Sequence, residues 1–91
     1  MEESRIAWQG SLDMASVKRF VSQVQSAGDA PVLVLDLSEM DFVDSTGIRS
    51  LIGVKQRMVE EGRVLQVEGL RPDVLDILDI MGIRDLLFDA G

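Results

Sequence analysis

The chain has no cysteine and no histidine among its 91 residues, and each absence excludes a class of chemistry. Without cysteine there can be no disulfide framework, thiolate metal site or thiol nucleophile. Without histidine the usual general base and the Ser-His-Asp triad are unavailable. We therefore expect no enzyme, no catalytic residue, no metal and no cofactor. The lack of cysteine also fits a reducing compartment, so a cytoplasmic protein is predicted.

Basic residues are scarce as well, with 9 Lys and Arg against 16 Asp and Glu and a net charge of −7. This balance argues against nucleic acid, which is bound largely through cations that neutralise phosphates, and against an anionic membrane surface. It would suit a basic partner, although a solvated surface explains the acidity more simply. The longest apolar runs are far below the ~18 residues of a membrane span, so no membrane insertion is expected.

The residues that are present suit one small domain over positions 1–91. Apolar stretches at 6–9, 32–38 and 64–67 predict strands, the second of them buried on both faces. They alternate with helical patterns at 13–24, 46–61 and 72–81. In the first helix, Asp13 is the expected cap and Met14 belongs to the buried stripe. The tail at 83–88 is left open between a helical turn and a docking strand.

The strand at 32–38 and the helix after it flank the segment Asp44-Ser45-Thr46-Gly47. A helix N-terminus presents unpaired N–H groups, which bind capping side chains and also favour phosphate. Ordinary capping, worth about 1 kcal/mol, would explain Asp44, Ser45 or Thr46. A phosphorylation switch at this point would explain the same residues. Spacing alone leaves both interpretations open.

Several segments, taken in their order along the chain, resemble the STAS domain (sulphate transporter and anti-sigma factor antagonist). The resemblance is to the stand-alone bacterial anti-sigma factor antagonists in particular. It implies an α/β fold with a mixed, mostly parallel sheet of about four strands and three to four helices. The segments are Gly10-Ser11-Leu12-Asp13, Leu35-Asp36-Leu37-Ser38, Phe42-Val43-Asp44-Ser45-Thr46-Gly47-Ile48 and the stretches 62–67 and 74–83.

Family members usually begin with a two-stranded hairpin before the Gly-x-Leu-Asp segment. Only positions 1–9 are available for it here, so we expect one strand to be missing or much reduced. An uncovered sheet edge exposes unpaired backbone groups and is a template for pairing with another chain. A dimer through that edge is therefore one expected oligomeric form.

The resemblance implies a switch that works by exchange of protein partners. In its unphosphorylated form the domain would bind an anti-sigma factor that is also a serine kinase, and so release the sigma factor. Phosphorylation of Ser45 would end the binding, and a PP2C-type phosphatase would restore it. The positions expected to contact the partner are Asp13, Asp44, Thr46, Gly47 and Arg49.

Two other functions remain open for a chain of this family. It could be a non-catalytic accessory subunit of a phospholipid ABC transporter, with Ser45 serving as a cap or a contact. It could also act in a partner-switching circuit for motility or biofilm, which differs only in the downstream partner. A receiver domain with Asp36 as phosphoacceptor is excluded, because the chain is too short and the first strand lacks the required acidic pair.

Overall fold

The computed structural model describes residues 2–88, and strands alternate with helices along them as predicted. The tail that the sequence left open forms a short helix. The elements are β1 (Glu3–Leu12), α1 (Val17–Ser26), β2 (Val32–Val43), α2 (Ser45–Glu60), β3 (Val64–Glu68), α3 (Pro72–Ile80) and α4 (Arg84–Leu87).

The three strands form one sheet in the order β1-β2-β3, and both pairings are parallel. The α/β class is confirmed, but the described sheet has three strands rather than about four and is parallel rather than mixed. The reason lies in the connections, since a helix follows each strand and a helical crossover returns the chain in the same direction. Within residues 2–88, β1 lies at a sheet edge, so pairing there with a second copy stays a prediction.

Strands β1 and β2 are longer than the predicted strands at 6–9 and 32–38. The sheet register shifts between Ala7 and Gln9 and again between Gly10 and Ser11. Gly10 has a φ of 87°, which side chains rarely tolerate. Such irregularities break the alternation by which a strand is recognised in sequence. Both strands continue past them, so that β1 and β2 end side by side.

The hydrophobic core lies between one face of the sheet and the helices. Trp8 of β1 and Phe20 of α1 are buried there with their rings edge to face, 5.5 Å between centroids. The central strand is buried on both faces as predicted, since Leu33, Val34 and Leu35 are each 0% exposed. On the outer face, alternate residues of β1 and β3 are exposed, and a 2.8 Å Arg5–Glu68 ion pair spans β2.

The prediction that Met14 belongs to the buried stripe of the first helix is wrong. Helix α1 begins only at Val17, and Met14 is 76% exposed. The physical reason is the Asp13 carboxylate, whose Oδ1 accepts hydrogen bonds from the N–H groups of Ala15 and Ser16 at 3.0 and 3.1 Å. These local bonds hold a turn before the helix instead of capping its first residues.

Candidate functional site

The loop after β1 and the loop after β2 meet, because neighbouring parallel strands end at the same edge of a sheet. Asp44 joins the two loops by hydrogen bonds from both its backbone and its side chain. Its N–H donates to the Leu12 carbonyl at 3.2 Å, and its Oδ2 accepts from the Met14 N–H at 3.2 Å. The site is therefore braced across residues that lie thirty positions apart in sequence.

Asp44 is also the N-cap of α2. Its Oδ1 accepts from the Gly47 N–H at 2.8 Å, and its carbonyl accepts from the Ile48 N–H at 2.9 Å. Capping thus belongs to Asp44, and Ser45 and Thr46 are the first two residues of the helix. Neither hydroxyl has a hydrogen-bond partner within residues 2–88. Ser45 is exposed and Thr46 half-buried, so the Ser45 hydroxyl is the more accessible of the two.

Gly47 is buried where α2 approaches the end of β1. A Cβ at this position would overlap the Leu12 carbonyl oxygen and lie 2.8 Å from Cγ2 of Val43. Only glycine allows the helix to come this close, which gives Gly47 a packing role in placing Ser45. Its expected contact with a partner stays a prediction.

Asp13, the other aspartate of the site, is engaged in its own loop. Besides the two backbone N–H groups of its turn, its Oδ1 accepts from the Ser16 Oγ at 3.2 Å. Arg49 lies one helical turn after Ser45, is exposed, and forms no ion pair within the described residues. The structure thus brings Asp13, Asp44 and Ser45 into one loop cluster and leaves the Arg49 guanidinium accessible beside it.

Two apolar residues of this surface were not assigned to the site from the sequence. Met14 is 76% and Phe42 54% exposed, and with Asp13, Ala15 and Asp44 they line a groove of about 390 Å³. Met14 fits a helical stripe in sequence, and Phe42 lies beyond the regular part of β2. No local pattern therefore indicates that the two side chains share a surface.

Two of the residues that line the groove, Asp13 and Asp44, are acidic. Asp41 precedes Phe42 on β2 and accepts a 3.2 Å hydrogen bond from the Ser11 hydroxyl. None of Asp13, Asp41 and Asp44 pairs with a lysine or arginine of the described chain. The described residues also contain no group of three His, Cys, Asp or Glu side chains that could hold a metal ion. The arrangement can present hydroxyl, carboxylate and apolar groups to a partner.

A family model described as "Mlab, STAS domain" matches residues 1–88. The chain therefore belongs to the STAS domain family. No curated protein is similar enough to the sequence to count as a match. No helix within residues 2–88 combines the length and hydropathy needed to cross a membrane.

Solved structures of the same fold include an anti-sigma factor antagonist. The unphosphorylated form of that antagonist, SpoIIAA, is 19% identical, with a TM-score of 0.75 over 99% of this chain and 81% of its own. The phosphorylated form of the Bacillus SpoIIAA is 18% identical, with a TM-score of 0.71 over 99% of this chain and 84% of its own. A sulfate transporter family protein from Wolinella succinogenes is 16% identical, with a TM-score of 0.79 over 93% of this chain and 70% of its own. Identities this low show a common fold alone.

Proposed function

We propose that this domain is a phosphorylation-controlled protein-binding switch, an anti-sigma factor antagonist with Ser45 as its phosphoacceptor. The observation that carries the proposal is the Ser45 hydroxyl, which is exposed and has no hydrogen-bond partner within residues 2–88. The STAS family and the fold shared with SpoIIAA support it. The partners are an anti-sigma factor that is also a serine kinase and a PP2C-type phosphatase, and the switch works in the cytoplasm.

Phosphorylation at this position would change the surface more than the fold. The phosphate adds about −1.5 to −2 charges and three strong acceptors, and the helix dipole favours negative charge at the first turn. Arg49 stands four residues further along α2, on the same face. In the unmodified domain Arg49 is free to contact an acidic patch on the partner. The phosphate would occupy that guanidinium, add bulk, and repel the acidic patch.

The direct test is phosphorylation by the purified kinase-like anti-sigma factor of the same organism, with ATP and site-resolved mass spectrometry. We expect one phosphate on Ser45 of the wild type, no phosphate on Ser45→Ala, and an unchanged result for Thr46→Ala. The kinase should bind the unmodified domain and release the phosphorylated one. Stoichiometric phosphate on Thr46 of the wild type would contradict the assignment of Ser45.

A second candidate function is favoured by the family description, which names Mlab. In this alternative the domain is a non-catalytic accessory subunit of a phospholipid ABC transporter, and the Ser45 hydroxyl is a contact with the transporter. Copurification with a permease and an ATPase from detergent-solubilised membranes, equal for wild type and a kinase-treated sample, would support it. A circuit for motility or biofilm would share the switch chemistry and differ in the protein released downstream.

A further inference from the structure

Met14 and Phe42 form an apolar surface that a phosphorylation switch at Ser45 does not by itself require. Both are more than half exposed, at 76% and 54%, and both line the same groove as Asp13, Ala15 and Asp44. Contiguous exposed apolar side chains with a polar rim are typical of protein-binding surfaces. The groove adjoins the Ser45 loop, because Asp44 lines it and immediately precedes Ser45.

Both acidic side chains of the groove, Asp13 and Asp44, are held by hydrogen bonds from backbone N–H groups. Asp44 is held by the Gly47 and Met14 N–H groups, and Asp13 by its own turn. Carboxylate oxygens have two acceptor positions each, so these bonds leave room for further donors. Because no lysine or arginine of the described chain pairs with these aspartates, a cation from outside can satisfy them. Charge complementarity therefore specifies the occupant.

We propose that the groove receives a protein segment that places one apolar side chain between Met14 and Phe42, with a lysine or arginine on each side of it. The inference rests on the proposed function only in taking the occupant to be a protein. Nucleic acid and anionic lipid are excluded by the charge of the rim. A second copy of this chain, also with a net charge of −7, would bring aspartates against aspartates.

This assignment divides the interface into two parts with opposite electrostatics. The groove attracts cations, and an added phosphate on Ser45 would strengthen that attraction. Release of a partner on phosphorylation must then come from the Arg49 side, through the bulk of the phosphate and repulsion of an acidic patch. The groove supplies affinity, and the Ser45–Arg49 side supplies control.

The experiment is an NMR titration of the full chain labelled with ¹³C at the methionine methyl groups. The probe is the peptide N-acetyl-Lys-Leu-Lys-amide, which carries the proposed chemistry. Its controls are N-acetyl-Glu-Leu-Glu-amide, which reverses the charge, and N-acetyl-Lys-Ser-Lys-amide, which removes the apolar side chain. Met81, at the end of α3, is 50% exposed and does not line the groove. It serves as an internal reference, because its methyl resonance would report non-specific hydrophobic contact with the peptide.

We expect the Lys-Leu-Lys peptide to shift the Met14 methyl resonance saturably, leave Met81 unchanged, and lose its effect as salt is raised. Phe42→Ala should weaken binding by roughly threefold or more, because the ring supplies much of the apolar area that the leucine covers. Ile80→Ala, at a residue 85% exposed on α3, should bind like the wild type. Folding of each variant is checked from the buried Met40 and Met58 methyl groups.

Equal shifts at Met81, or a Met14 shift from either control peptide as large as that from the Lys-Leu-Lys peptide, would overturn the groove assignment. The titration uses neither kinase nor phosphate, so its outcome is independent of the switch. If Ser45 is not phosphorylated but the peptide binds, the proposed switch is wrong and the proposed groove stands. If Ser45 is phosphorylated but the peptide causes no specific Met14 shift, the proposed groove is wrong and the proposed switch stands.

Discussion

Two regions of the molecule each combine an aspartate, a serine and a closely packed glycine, yet they treat the serine hydroxyl differently. In the first region Asp36 accepts from the Ser38 N–H at 3.0 Å and from the Ser38 hydroxyl at 2.7 Å. Gly69 packs against this part of β2, and a Cβ on it would lie 2.8 Å from the Ser38 nitrogen. The first region is therefore an irregular stretch of a strand, at a register shift, whose hydroxyl is already engaged.

In the second region the aspartate and the glycine hold the loop by hydrogen bonds and close packing, and the serine hydroxyl is not involved. Asp44 caps α2 and bonds the loop after β1, and Gly47 lets the helix approach Leu12. The Ser45 hydroxyl takes no part in these bonds. The comparison teaches that, in this molecule, the serine hydroxyl stays without a hydrogen bond at the loop that other groups hold.

The largest effect is expected from Gly47→Ala. The added methyl group would overlap the Leu12 carbonyl, which is backbone and cannot turn aside, so the free energy of unfolding should fall by about 2–3 kcal/mol. Gly53→Ala in the same helix is the matched control. Its Cβ would meet nothing within 4 Å, so it should stabilise the protein by about 0.5–1 kcal/mol. Urea unfolding followed by circular dichroism measures both, and equal effects would refute the close approach.

The next largest effect is expected for the two aspartates Asp44 and Asp36, whose removal should lower the free energy of unfolding by different amounts. Asp44→Ala removes the cap and the bond to the Met14 N–H, and should cost about 1–2 kcal/mol of unfolding free energy. Asp36→Ala should cost clearly less, since its bonds are local and exposed. For Asp44→Ala and for Asp13→Ala, we expect the loss of binding free energy toward the partner to exceed the loss of unfolding free energy. Full partner affinity in either variant would remove that residue from the interface.

The sequence predicts the order of the elements and the position of the Asp44 loop, because apolar spacing and helix caps are local signals. It does not predict the second half of β2, since register shifts remove the alternation there. It places Met14 in a helix, since spacing cannot reveal that Asp13 holds a turn instead. Which of three adjacent polar residues caps α2 depends on contacts with Leu12 and Met14, thirty residues away.

A smaller effect is expected at Arg49. If its guanidinium pairs with the phosphate on Ser45, phosphorylation should lower the stability of Arg49→Ala relative to its effect on the wild type by about 0.2–1 kcal/mol, the range measured for exposed ion pairs. The difference should shrink at high salt. Thermal unfolding of both proteins, with and without phosphate, measures it. The same stability change on phosphorylation in both would show that Arg49 does not accommodate the phosphate.

The smallest effect concerns pH and tests the comparison at the level of single hydroxyls. The hydrogen bond from the Ser38 hydroxyl, then that from the Ser38 N–H, and the charge of Arg5 hold the pKa of Asp36 below its ordinary value. The folded pKa lies below the unfolded one, so this stabilisation is present above about pH 4 and is lost as the pH falls through the folded pKa. Ser38→Ala removes the strongest of these causes while keeping the Cβ that Gly69 approaches, so the pKa of Asp36 should rise toward its ordinary value. Ser45→Ala should leave that pKa unchanged, because the Ser45 hydroxyl bonds no carboxylate. Carboxyl ¹³C NMR titrations of the two variants measure the pKa of Asp36. A comparable rise of this pKa in both variants would contradict the assignment of the hydrogen bond to the Ser38 hydroxyl alone.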